Sequence, residues 1–259
     1  MAARPRTVAL AGVCALTALG AAVLGMLAIK TGGDGFASMG GVICRPGATP
    51  MVDPAAFGLS FAAWSAMALI MMLPTAAPML LTYAEIADTA AAKGAFAASP
   101  LVLAAGYLAG WIAFAFGASV AEIPLSKLIA ARTEEATLLA GAGLVLAGLY
   151  QFSALKRACL AHCRRPFSFF FANWTDEIAG VFRLGLRQGI YCLGCCWALM
   201  LLMLAFGAMN LVWMAALAVV MAAEKLTSSQ ALPRAVGVAL IAAGAVVFAQ
   251  ISPLLRTLN

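Results

Sequence analysis

The sequence predicts an all-α, polytopic transmembrane helix bundle of about six spans, on three observations. Hydrophobic residues make up 64% of the 259 and charged residues 10%, where soluble domains carry about 25% charged. The mean hydropathy is +1.01. Several apolar runs also reach the roughly 20 residues that a helix needs to cross about 30 Å of hydrocarbon. The chain reads as a single integral membrane domain over 1–259, with no long disordered linker and no internal repeat.

The first span is expected at about 8–29. Arg4 and Arg6 precede it as in a signal peptide, but its apolar stretch exceeds a usual h-region and no small-residue cleavage site follows, so a retained span is expected. Residues 30–55 are rich in glycine and proline and read as a loop, which carries Cys44. A second span at 56–82 contains Pro74 and Pro78, which kink a helix and free carbonyls. The third, at 97–120, carries Gly106-x3-Gly110, a spacing that lets helices approach closely in lipid. The fourth is expected at 136–155.

A basic connector, 156–188, follows. The fifth run, 189–222, would be about 51 Å long as one helix. That is too long for one upright span and too short for two comfortable ones, so it either projects from the bilayer or breaks near Gly207–Asn210. The sixth span is expected at 233–251.

The net charge of +6 does not imply nucleic acid, because of where the charge lies. Lys156, Arg157, Arg164, Arg165, Arg183 and Arg187 all sit in the connector. Under the positive-inside rule the connector is cytoplasmic, and six spans then put both termini inside. The cluster is expected to contact anionic lipid headgroups. Phe167–Trp174 reads as an interfacial aromatic belt. Thr175-Asp176-Glu177 reads as a helix start, from which the helix would run along the interface and turn inward near Gly189.

The residue types that can carry chemistry gather at this connector. Five of seven cysteines flank it, in Cys159-x2-His162-Cys163 before it and Cys192-x2-Cys195-Cys196 after it. Because a connector returns the chain to the face it left, both clusters belong to one face. Cys159/Cys163 and Cys192/Cys196 are each one helical turn apart, and two such pairs can supply four thiolates to a soft metal. Cys195 or the chain's single histidine, His162, would be a substitute ligand.

Methionines extend the soft-donor pattern. On one helix, Cys192, Cys196, Met200, Met203, Asn210 and Met214 fall within one sector through the membrane. Met67, Met71, Pro74 and Pro78 share a face in the second span, with Met72 and Met79 beside them. Thioethers favour Cu(I), whereas thiolates also serve zinc. Methionine is equally a common apolar filler. No nucleophile–base pair, phosphate-binding glycine loop or paired carboxylates are found. Glu85, Glu122 and Glu224 fall near span ends, which gives proton pumping little support.

Four ordered blocks resemble a known family. They are Met67-x3-Met71-Met72-x-Pro74-x3-Pro78-Met79; Tyr150-Gln151-x3-Leu155-Lys156-x2-Cys159-Leu160-x2-Cys163-Arg164-x-Pro166; Gly189-x2-Cys192-x-Gly194-Cys195-Cys196-Trp197-x-Leu199-Met200; and Gly207-x-Met209-Asn210-x2-Trp213-Met214, with Glu224-Lys225 beyond. The chain resembles a bacterial family of predicted metal-binding integral membrane proteins, known as domain of unknown function 2182. That family pattern often has histidine where this chain has Gln188. The resemblance implies a metal-binding protein of the bacterial inner membrane without a settled activity.

The leading expectation is a non-enzymatic protein that binds a soft transition metal, Cu(I) before Zn(II), for transport or delivery. It would exchange the ion with a metal-donor or metal-acceptor protein. Met67, Met71, Met72, Met79, Met200, Met203, Asn210 and Met214 would form a relay. A membrane thiol–disulfide oxidoreductase is the alternative, and a structural or assembly subunit of a membrane complex is the third reading.

Overall fold

The computed structural model describes residues 5–30, 54–94, 96–131, 133–206 and 211–257, and the regular elements among them are all α-helices. In order these are α1 (Pro5–Lys30), α2 (Pro54–Ala92), α3 (Pro100–Ala131), α4 (Thr133–Tyr150) and α5 (Ala154–Arg164). They are followed by α6 (Pro166–Ala172), α7 (Ile178–Phe206), α8 (Leu211–Leu226) and α9 (Ala231–Thr257). Cys44, Gly207 and Asn210 lie outside the described residues. Five helices (α1, α2, α3, α7 and α9) are long and apolar enough to cross a membrane.

Two predicted spans differ in detail. The fourth ends at Tyr150, and the chain then bends by 63° into α5. Ser153 caps the new helix, its hydroxyl accepting from the Lys156 amide at 3.0 Å. The fifth predicted span is two helices, α7 and α8. A straight helix would hold Cys192 and Lys225 about 50 Å apart, yet Lys225 Nζ donates to Cys192 Sγ at 3.1 Å. The chain therefore reverses between α7 and α8, and the stripe drawn along one helix is the facing sides of two. Nor does α7 turn at Gly189, through which it runs unbroken.

Contacts fix the direction of each helix. Arg6 pairs with Glu85 at 3.8 Å and Gly20 abuts Ala66, so α1 and α2 are antiparallel. Tyr83 donates to the Ala98 carbonyl at 3.0 Å and Ser60 donates to Glu122, which makes α3 antiparallel to α2. Gly106 against Phe182 and Gly110 against Gly189 make α7 parallel to α3. Tyr150 donates to the Gly194 carbonyl and Gly143 faces Leu202, so α4 opposes α7. Gly148 against Gly237 and Gly141 against Phe248 set α9 antiparallel to α4. Helices α1, α3, α7 and α9 thus point one way and α2, α4 and α8 the other.

The start of α1, the end of α2, the α5–α6 segment and the start of α7 share one end of the bundle. Lys225 and Arg234 join them at this connector end, while α9 carries Arg256 to the opposite end. Among the described residues the start of α1 and the end of α9 lie at opposite ends of the bundle, because α8 adds a return stroke that an even count of spans omits.

Small residues set the closest helix approach. Side chains at Gly106 and Gly185 would overlap the carbonyls of Phe182 and Leu103, and a Cβ on Gly189 would lie 2.6 Å from the Tyr107 oxygen. The α3 and α7 backbones are therefore in contact, as small-residue interfaces allow in lipid. This contact carries Tyr107 to Cys192.

The connector's charges divide. Lys156 is 1% exposed and donates to Glu224 Oε2 at 2.7 Å. Arg164 clasps the carbonyls of Glu224, Ser228 and Ser229 at 2.7–3.1 Å. The sequence places both at lipid headgroups; instead Lys156 joins α5 to α8 from a buried position and Arg164 from a half-buried one, with Glu224 in the last turn of α8. The aromatic belt divides too. Phe167 and Phe171 stack on the exposed side of α6, whereas Phe169 and Phe170 are buried. In α2, Met67, Met71, Met72 and Met79 are buried and both prolines are exposed, so the predicted Met/Pro face is in fact split.

Two outcomes test this architecture. Reporters active on one membrane face only, fused at either terminus, are expected to give opposite signals; equal signals would exclude the α8 reversal. Removing one partner of a buried ion pair costs about 3–5 kcal/mol, while replacing both with apolar residues is often neutral. Glu224→Leu should therefore sharply lower the thermal midpoint in detergent, and adding Lys156→Met should restore most of it.

Candidate metal centre

The cluster is built by two helices at the connector half of the bundle. Helix α7 contributes Cys192, Cys195 and Cys196 from one turn, all at most 3% exposed. Cys195 donates back to the Cys192 carbonyl at 3.1 Å, and its sulfur lies 3.2 Å from that of Cys196. Helix α5 contributes Cys163, half-buried at its penultimate position. The sulfurs of Cys163, Cys192 and Cys195 all lie within 4.8 Å of one another. At a metal–sulfur distance of about 2.3 Å, three sulfurs around one ion stand about 4 Å apart. The donor set therefore fits a three-coordinate soft ion.

The other predicted ligands sit around this trio. Cys159, one turn before Cys163, packs against Gly194, where a Cβ would lie 2.6 Å from its sulfur. Glycine at 194 is thus what lets α5 settle onto α7. His162 is exposed and its ring stacks on Tyr191 at 4.2 Å. Met72 touches the cluster through Lys225, whose Nζ lies 3.6 Å from its sulfur. Met79 borders the same region, and Met67, Met71, Met200, Met203 and Met214 are buried in the core.

Two residues around Cys192 have no chemical role in the sequence reading, where Lys225 enters only with the Glu224-Lys225 block. Lys225, 8% exposed, donates to Thr75 Oγ1 at 2.7 Å and to Cys192 Sγ at 3.1 Å. Tyr107 Oη lies 3.0 Å from Cys192 Sγ and 3.2 Å from the Met72 carbonyl. An ammonium at this distance balances the charge of a thiolate that would be costly alone in a buried setting. The predicted spans at 189–222 and 233–251 leave Lys225 between them, whereas the reversal into α8 brings it to Cys192. Tyr107 was flanked by the one available hint, the Gly106/Gly110 packing spacing.

A cavity borders the trio, lined by Thr75, Ala76, Met79, Tyr107, Cys163, Gln188, Cys192 and Lys225. The Gln188 side chain is buried, and its amide nitrogen has no hydrogen-bond partner among the described residues. Chemically, the centre combines soft ligands for one ion, a fixed positive charge and an opening beside them.

No curated protein and no solved structure matches the chain significantly. A family model described as copper chaperone, PpoB2, matches residues 61–247, from α2 into α9. Enclosing every sulfur of the cluster, that match covers well over half of the sequence, and the chain belongs to the PpoB2 copper-chaperone family.

Proposed function

We propose that this protein holds Cu(I) between Cys163, Cys192 and Cys195 within the membrane and passes it to or from a partner protein. The observation that carries the reading is the convergence of three sulfurs from α5 and α7, which are far apart in sequence. Copper is preferred to zinc on two grounds. Thiolate and thioether donors are soft and suit Cu(I), and a structural zinc site would ask for four ligands in a tetrahedron. Cys196, beside Cys195, and Cys159, one turn from Cys163, are ligands for exchange rather than for resting coordination.

The buried methionines Met67, Met71, Met72, Met79, Met200, Met203 and Met214 offer thioether positions on either side of the cluster. Asn210, outside the described residues, belongs to the same sequence stripe. A thioether is neutral and holds the ion less firmly than a thiolate, which suits transfer. We place the protein in the inner membrane with its connector end in the cytoplasm. Lys225 and Arg234, at that end of the bundle, add to its positive charge.

Protein purified anaerobically in detergent, then challenged with copper and zinc, should retain near-stoichiometric copper by elemental analysis. A Cys163/Cys192/Cys195→Ser variant of unchanged helicity should retain none. Equal trace metal in both would overturn the reading and direct attention to the thiol redox state. A second measurement probes the surroundings of the ligands. Loss of a partner that supports a metal ligand typically costs about 10–100-fold in affinity. Lys225→Met should therefore weaken Cu(I) retention by that order in competition with a chelator, while Cys14→Ser, on the exposed face of α1, should not change it.

A further inference from the structure

The cavity beside the cysteine trio is not symmetric about it. On α2 it runs from Thr75 to Met79, and on α7 from Cys192 back to Gln188. Each step is four residues, one helical turn. Because α2 ends and α7 begins at the connector end, both steps lead the same way. The cavity lining therefore extends one turn from the sulfurs toward the connector end, where Met79 and Gln188 line it.

These two side chains have the chemistry of a weak soft-metal station. Met79 presents a neutral thioether. Gln188 is 3% exposed with an unpartnered terminal amide nitrogen. An amide left unpaired in a buried setting is costly. Its nitrogen and oxygen are nearly isosteric, so a flip presents the oxygen as a donor at the same place. Neither residue is charged. A cation can rest there without first displacing Lys225, whose ammonium is engaged with Cys192, Thr75 and Met72.

We propose that Met79 and Gln188 form a loading station at the mouth of the cavity, which receives Cu(I) from the connector end and passes it to Cys163 and Cys192. This rests on the reading of the cysteine trio as a copper site. Cys163 is the receiving ligand, because it lines the cavity and is the least buried sulfur of the three. The step is a ligand exchange without redox change. The copper–thioether and copper–amide-oxygen bonds break as a copper–thiolate bond to Cys163 forms, the Cys163 thiol proton leaves to water through the cavity, and copper remains Cu(I). The thiolate donates the electron pair, and the thioether keeps its own.

The test follows copper uptake by the full-length, reduced protein in detergent from a coloured Cu(I)–chelator complex, reading both rate and final stoichiometry. Met79→Leu and Gln188→Leu should each slow uptake by at least about tenfold, the lower end of the cost of losing a group that supports a metal site. The final stoichiometry should stay unchanged, and Met79→Cys, which restores a soft donor, should recover the rate. Uptake at the unsubstituted rate in both leucine variants would overturn the station. So would a fall in stoichiometry matching the triple cysteine variant, which would make these residues part of the resting site or its fold. No uptake by the unsubstituted protein would instead overturn the copper reading, and the station with it.

Discussion

Two full charges, Lys156 and Glu224, meet at 2.7 Å where α5 crosses the end of α8, each 1% exposed. Neither tolerates that environment alone, since an unpaired buried charge costs several kcal/mol or more. The geometry of the centre follows from this constraint. Lys156 and Cys163 are two turns apart on α5, while Glu224 and Lys225 are neighbours on α8. Satisfying the ion pair thus brings a cysteine from one helix and an ammonium from the other to the same turn of α7. Arg164 reinforces the crossing by clasping the Glu224 carbonyl in the last turn of α8, which a helix end leaves without a helical partner, and the Ser228 and Ser229 carbonyls just beyond it.

The opposite wall is set by sterics rather than charge. Helices α3 and α7 touch backbone to backbone along Gly106, Gly185 and Gly189, and this contact holds Tyr107 against Cys192. In lipid there is little hydrophobic gain from bringing two apolar helices together, so close packing and polar contacts decide which pairs form. The sulfur trio is fixed from one side by small residues and from the other by an ion pair. Gly194, where α5 rests on α7 through Cys159, joins the two walls.

How much of this was legible follows from the range of each interaction. The helical membrane fold was written in composition and run length. Grouping of the cysteines at one face followed from the logic of a connector, and the Gly106/Gly110 contact from spacing alone. All of these are local signals or rules of topology. What escaped depended on the α7–α8 reversal. Periodicity at 3.6 residues is the same for one long helix and for two facing helices, so Cys192, Met200, Met203 and Met214 read as a single stripe. Without the reversal Lys225 is a loop lysine, Glu224 an acid at a span end and Lys156 a residue for headgroups. A charge pair across 68 residues has no signature in either local sequence. Whether Cys159 or Cys195 completes the trio likewise depends on which face of α5 meets α7, and the one-turn spacing of the cysteines leaves that open.

The arrangement also bears on the proposal that the centre transfers copper rather than storing it. Four thiolates closed around an ion would hold it firmly and offer no free position, whereas three leave one side open. Here the open side meets a cavity, and the half-buried Cys163 comes from α5, a short helix bent 63° from α4. Cys192 and Cys195, by contrast, sit on the long helix α7, held by its contact with α3. Two ligands thus sit on one long helix and the third on a short crossing helix held by the Lys156–Glu224 pair and Arg164. The positive charge of Lys225 stays beside the rigid ligand Cys192 throughout. Charge balance at Cys192 then does not depend on whether Cys163 is engaged, which is the condition for an ion to be exchanged without exposing an unpaired charge inside the membrane.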